Sequence, residues 1–189
     1  MYQTLDLNLA FTLVEPSPVV LITTRDQGKD NVFTLSLLMP LGFDDDSGCC
    51  NIAIMTGRWN HSARAMLKNK QCVLHVPTAE RMADTIAIGT VSGAQVDKFD
   101  RFGLAREEAK QVDCAIIKGC AAYIECRVVD DIEQHGIVIL RPVAAGVNEA
   151  ENRKSKIHSV GDGRFFTEGE RFDYRALMNE KLPPQCQIS

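Results

Sequence analysis

Apolar and polar residues alternate with a period of two along much of this 189-residue chain, the pattern of half-buried strands. Residues 19–24 (Val-Val-Leu-Ile-Thr-Thr) and 31–38 (Asn-Val-Phe-Thr-Leu-Ser-Leu-Leu) read as two strands, with Asp26-Gln27-Gly28-Lys29-Asp30 as the hairpin turn between them. In the second strand the period sets Phe33, Leu35 and Leu37 on one face and Val32, Thr34, Ser36 and Leu38 on the other. Two hydroxyls therefore line up on a face free to meet a ligand. Residues 50–55 form a third strand, and Gly57-Arg58-Trp59-Asn60-His61-Ser62 leads into a helix over residues 62–69. Asn60 or His61 falls about where that helix is capped. A helix N-terminus with an arginine, a serine hydroxyl and free backbone N–H groups is a good anion site. Neutral hydrogen-bonding groups on a strand next to an anion site suit a phosphorylated aromatic cofactor.

The rest of the chain continues in short pieces. Residues 1–15 alternate loosely, with Leu5, Leu7, Leu9, Phe11 and Leu13 on one face, and are expected to be an N-terminal arm. Residues 42–48 read as a polar loop whose Asp44-Asp45-Asp46 tip is solvated, because adjacent carboxylates do not converge on a metal. A strand at 72–76 ends at Pro77, and Thr78 is expected to cap a helix over 79–88 that turns Met82, Ala83, Ile86 and Ala87 inward. Thr90-Val91-Ser92-Gly93 is a hydroxyl-rich turn, and residues 97–103 a short helix closed by Gly103. Residues 104–120 read as connecting structure over the surface. Strands at 123–130 and 136–147 are joined by a turn at Gln134-His135-Gly136. A polar loop (149–163), a small hairpin (164–167 with 170–172), a short helix (174–178) and a Pro-containing tail (179–189) complete the chain. Six or more strands with only short helices favour one mainly β domain, an antiparallel barrel, over a doubly wound sheet. No G-x-G-x-x-G follows a strand and no G-x-x-x-x-G-K occurs, so the nucleotide-binding fingerprints are missing.

Composition narrows the function classes. A net charge of −4 and 6% aromatic residues give no electrostatic footprint and little stacking surface for nucleic acid. No run approaches the roughly 20 apolar residues of a membrane helix, and the first residues lack the basic-then-apolar pattern of a leader, so a cytoplasmic location is expected. Seven cysteines without a C-x-x-C argue against a disulfide framework or a zinc site. Cys72 and Cys126 sit in apolar runs and read as buried thiols, and Cys49-Cys50 is the pair to test for redox chemistry. His75, inside an apolar strand, reads as a satisfied core histidine.

Four segments together resemble one family. They are Pro18-Val-Val-Leu-Ile-Thr-Thr-Arg25 with Asn31-Val-Phe-Thr-Leu-Ser36; Arg58-Trp-Asn-His-Ser62 with Gln71-Cys-Val-Leu-His-Val-Pro77; Gly89-Thr-Val-Ser-Gly93 with Val96-Asp-Lys-Phe99 and Phe102-Gly-Leu104; and Ile124-Glu-Cys-Arg-Val-Val-Asp130 with Gly161-Asp-Gly163, Phe165 and Glu168-Gly-Glu170. In their order and spacing they resemble the flavin reductase-like proteins, FMN-binding split β-barrels of Greek-key type that include the flavoredoxins. The resemblance implies that Asn31, Thr34 and Ser36 meet the isoalloxazine or ribityl part of FMN. It implies that Arg58, Asn60, His61 and Ser62 surround the phosphate and that Lys98 closes over the same region. Trp59 either packs on the cofactor or anchors the helix start. Each residue also has an ordinary reading: a turn residue for Asn31, outward strand positions for Thr34 and Ser36, a helix cap for Asn60, a surface charge for Lys98.

The expected function is an FMN-dependent oxidoreductase, a homodimer with FMN near the interface, drawing on NADH or NADPH and passing electrons to free flavin, iron or a redox protein. The alternatives are a flavoredoxin-type carrier without nicotinamide turnover and a barrel that has lost FMN. Two departures from the family bear on the electron donor. Leu37 and Leu38 stand where relatives often place an aromatic residue and a histidine, and His158-Ser159-Val160-Gly161 stands where many have paired histidines and an arginine.

Overall fold

The computed structural model describes residues 17–43, 48–170, 172–181 and 187–188. The expected arm at 1–15, the Asp44-Asp45-Asp46 tip, Cys186 and most of the tail lie outside the described residues. Seven strands form the main sheet: β2 (Val20–Asp26), β3 (Lys29–Leu35), β4 (Leu38–Phe43), β5 (Cys50–Met55), β6 (Gln71–Val76), β9 (Ala122–Ile132) and β10 (Ile137–Val147). All pairings are antiparallel, in the order β3-β2-β6-β9-β10-β5-β4. The mainly β, antiparallel expectation is met. Among the described residues no helix is long and apolar enough to cross a membrane.

The single strand expected over 31–38 is in fact two. Strand β3 ends at Leu35, and β4, starting at Leu38, pairs with β5 at the far edge of the sheet. Only Ser36 and Leu37 connect the two edges, and three Cα steps span at most about 11 Å. The sheet is therefore forced to curl until its first and last strands nearly meet. Its interior holds Val20, Ile22 and Phe33 from one end, Ile54, Val138 and Leu140 from the other, and Met66 and Leu67 from helix α1 (His61–Asn69) as a plug. The face expected to carry the Thr34 and Ser36 hydroxyls together is broken at this point, because Ser36 lies outside the strand register.

Both faces of β2 are buried. Leu21 and Val32 point outward into a second cluster with Ile88 of α2 (Met82–Thr90), Phe99 of α3 (Lys98–Arg101) and Ile117 of β8 (Ala115–Ile117). The expectation of surface connection over 104–120 is thereby corrected. Val112, Cys114, Ala115, Ile116 and Ile117 are buried, and β8 pairs with β7 (Arg106–Glu108) as a hairpin covering β2 and β6. Strands of three residues are too short to show alternation, but an apolar outer face demands such a cover. Polar bonds fasten it. Arg25 donates to Asp30, Glu108 and Asp113, and the buried Glu125 carboxylate accepts the N–H groups of Lys110 and Gln111. His75 is a satisfied core histidine: its Nδ1 meets Leu21 O at 3.2 Å and its Nε2 accepts the Ile117 N–H at 3.0 Å.

Helix α2 differs from expectation in rotation. A 3-10 turn over Ala79–Arg81 precedes it, Thr78 makes no side-chain cap, and the buried positions are Thr85 and Ile88 rather than Met82, Ala83, Ile86 and Ala87. The helix docks on β3 through a bond from Thr34 Oγ1 to the backbone carbonyl Thr85 O at 2.5 Å, with Thr85 and Ile88 as its buried positions. The expected last hairpin is also corrected. Strand β12 (Phe165–Thr167) pairs with β11 (Ile157–Ser159), inside the segment read as loop, and β11 pairs in turn with β1 (Ser17–Pro18). A four-residue α4 (Glu149–Asn152) stands in the same segment, and α5 (Arg175–Met178) matches the final helix. Cys50, Cys72, Cys114, Cys120 and Cys126 are free thiols; Cys72 and Cys126 face each other, fully buried, across β6 and β9.

Candidate functional site

A cleft of about 300 Å³ opens between β3, the start of α1 and the α2–α3 connection, at the small end of the range for ligand sites. Asn60 builds its floor. Its backbone is extended (φ −83°, ψ 122°) and its Oδ1 accepts the Ser62 N–H at 2.9 Å, so it is the N-cap of α1. The first turn of α1 carries no acidic residue, which leaves the positive end of the helix available to an anion.

Strand β3 brings two side chains to the same place. Asn31 Nδ2 donates to Ser62 Oγ at 2.8 Å while its Oδ1 accepts the Val32 N–H at 2.8 Å. Among the described residues β3 is an edge strand, so alternate N–H groups have no strand partner there, and the Asn31 amide takes one of them. Thr34 lines the cleft, with its hydroxyl proton already given to Thr85. Across the cleft runs Gly89-Thr90-Val91-Ser92-Gly93. Gly89 lies close to the strand: a Cβ there would stand 3.2 Å from Thr34 Cβ, tighter than ordinary contact.

Lys98 closes the site from α3. It is 3% exposed, and its Nζ donates to Ile88 O at 2.9 Å, a carbonyl in the last turn of α2. No carboxylate of the described residues lies in ion-pairing distance of it, and the lining contains no Asp or Glu. Burial alone pulls its pKa down to about 8. An ammonium desolvated against one neutral carbonyl is costly, and that cost falls if an anion enters beside it.

The remaining expected residues divide. Trp59 and His61 line the rim; Trp59 is 81% exposed, its indole lying over Gly57, which has no Cβ to obstruct it. Arg58, Ser36 and Asn31 are not in the lining, and Asn31 reaches it only through its bond to Ser62 Oγ. The Arg58 guanidinium is held by Asp131 at 2.8 Å and Glu133 at 2.9 Å. Cys50 Sγ donates to Leu41 O at 2.9 Å, away from the cleft. Phe33 and the 89–93 segment line the cleft but were not among the expected site residues. The signal of the 89–93 segment was present in its hydroxyl-rich, glycine-flanked sequence just ahead of Asp97-Lys98-Phe99.

Comparison with known proteins adds three findings. The flavin reductase like domain profile matches residues 14–164. An uncharacterized protein of Archaeoglobus fulgidus is 37% identical over 108 residues, 56% of this chain and 57% of that one, so the match spans little more than half of that relative. Two solved structures share the fold. Flavoredoxin of Desulfovibrio vulgaris (Miyazaki F) has a TM-score of 0.80 at 20% identity, covering 92% of this chain and 96% of its own. The FMN-binding domain of a flavin reductases-like enzyme from Shewanella baltica OS155 has a TM-score of 0.72 at 21% identity, covering 90% and 96%. The split β-barrel architecture is thus shared with FMN-binding proteins, and with four-fifths of its length matched the chain belongs to the flavin reductase like domain family.

Proposed function

We propose that the protein is an FMN-binding oxidoreductase. The observation that carries this reading is Lys98, a buried ammonium with no counter-ion among the described residues, in a cleft whose described lining holds no carboxylate, at the start of α1. Ser62, the first-turn N–H groups of α1, His61 and Lys98 hold the phosphate. Thr34, with Ser36 beyond the strand end, lies toward the ribityl chain and ring, and Trp59 supplies an exposed aromatic surface at the rim. Arg58 joins the phosphate only if it leaves Asp131 and Glu133. FMN supplies the hydride and single-electron chemistry when bound; the chain supplies position and charge. NADH or NADPH is the proposed donor, and free flavin, iron or a redox protein the acceptor.

The test is the visible spectrum of the purified protein after addition of FMN and desalting. A retained two-band flavin spectrum is expected, and a colourless protein would sink the prosthetic-flavin reading. Oxidation of NADH or NADPH by the coloured protein then separates a reductase from a flavoredoxin-type carrier. The carrier reading is favoured by Leu37 and Leu38, which place aliphatic groups where relatives often carry polar or aromatic ones.

A homodimer belongs to the same proposal. Leu37, Met39 and Phe43 are exposed on or beside the edge strand β4, and Met55 is exposed on its neighbour β5. An edge that has no strand partner among the described residues and bears apolar side chains is a pairing surface. Light scattering is expected to give about twice the 20.9 kDa chain mass; a monomer would remove this part of the reading.

A further inference from the structure

We infer that Asn31 is a positioning residue for the anion end of the cleft, acting through the Ser62 hydroxyl and locked in place by Gly93. The inference rests on the FMN reading above and changes the role that the resemblance implies for Asn31, which was contact with the flavin itself.

The orientation of the Asn31 amide is fixed from three sides. Its oxygen is identified by the Val32 N–H that it accepts, so its nitrogen faces Ser62. Gly93 lies directly against the same amide: a Cβ at position 93 would overlap both Oδ1 and Nδ2 of Asn31. The amide cannot swing away without displacing the 90–93 turn. With one lone pair of Ser62 Oγ occupied by Asn31, the hydroxyl proton must be donated elsewhere, and no acceptor for it exists among the described residues. Ser62 is buried and lines the cleft. Its backbone N–H is meanwhile spent on Asn60, which leaves the hydroxyl as the group that Ser62 can offer. Asn31 thereby turns Ser62 from a group that could accept or donate into a donor aimed at an incoming anion, at the same helix terminus and in the same cleft as Lys98. Gly93 carries this role because any side chain there would drive Asn31 off Ser62.

The experiment measures FMN and riboflavin affinity, by quenching of flavin fluorescence, in the parent, Asn31→Ala, Ser62→Ala and the double variant. Riboflavin lacks only the phosphate. Asn31→Ala and Ser62→Ala are each expected to weaken FMN about tenfold, the size of one hydrogen bond to a charged group. The double variant should be no weaker than Ser62→Ala alone, and riboflavin affinity should not change. Losses that multiply in the double variant, or an equal loss for riboflavin, would overturn the inference and return Asn31 to direct flavin contact. Asn31→Asp, of the same shape, guards against a folding defect. Its carboxylate accepts the Ser62 proton, so FMN affinity must fall at least as far as in Asn31→Ala; unchanged affinity refutes the coupling. A parent protein that binds no FMN defeats the underlying reading instead, and is recognised before any variant is made.

Discussion

Replacing Lys98 with methionine is expected to weaken FMN binding by about a hundredfold, the scale of one charge-assisted contact to phosphate in a desolvated site, and to leave the flavin-free protein at least as stable as the parent. The two effects have one cause. Lys98 is buried, bonded to a single carbonyl, Ile88 O, and has its pKa pulled to about 8 from 10.5 by burial. A folded-state pKa below the unfolded value in a basic group means that folding is opposed by the charge at neutral pH. Methionine fills similar space without that opposition, but it abandons Ile88 O near the end of α2, which offsets part of the gain. The expected net is a gain on the order of 1 kcal/mol, or about 2–4 °C in melting temperature for a chain of this size. The same pKa gives the pH profile of the parent. Bound phosphate favours the protonated amine, so FMN affinity should be level below about pH 7 and fall as pH rises through about 8. Fluorescence titrations from pH 6.5 to 9.5 and thermal melts of both flavin-free proteins check this. A Lys98→Met protein that binds FMN as tightly as the parent, or one that melts well below it, would show that Lys98 is held for packing and not for an anion.

Such a residue could not be recognised from local pattern. A lysine after Asp97 at the start of a short helix reads as a surface charge, and only the family resemblance pointed it toward the cleft; its burial comes from α2 and α3 closing over β2 and β3. What the pattern did disclose was local. The β2–β3 turn, the β5 strand, the Asn60 cap, the α3 turn closed by Gly103 and the long β9–β10 pair all follow from spacing and turn chemistry within a few residues. What it hid depends on partners far along the chain. Alternation runs unbroken through Ser36 and Leu37, with no Gly or Pro to mark a break, because the break is set by β5 capturing Leu38–Phe43. Arg58 looked like a phosphate ligand beside the helix start, and its carboxylates lie more than 70 residues later. The burial of Ala115–Ile117 follows from the apolar outer face of β2, which marks β2 as two-sided without saying what covers it.

Acid should destabilise this protein through His75, and the loss should be large and assignable. His75 is fully buried, with Nδ1–H donating to Leu21 O and Nε2 accepting the Ile117 N–H, so the neutral ring is the form that joins β2, β6 and β8. Burial lowers its pKa from 6.5 to about 4. In that interval the unfolded chain binds a proton that the folded one refuses. The stability is therefore present in full above about pH 6.5 and is lost as pH falls toward 4. At about 1.4 kcal/mol per pH unit, the difference amounts to about 3 kcal/mol, a sizeable share of the 5–15 kcal/mol typical of a domain. Carboxylates in surface ion pairs, such as Glu108 beside Arg25 and Asp26 beside Lys68, are held below their ordinary range by those partners, and exposed pairs contribute little each. The measurement is urea unfolding of the parent and of His75→Gln between pH 7.5 and 4.5. Glutamine keeps one donor and one acceptor but cannot take up the proton. It should cost stability at pH 7.5, where the imidazole fits better, and the two proteins should converge as pH falls. Curves that stay parallel over the whole range would mean that His75 is not what acid attacks, and that the β2–β6–β8 junction tolerates a charged ring.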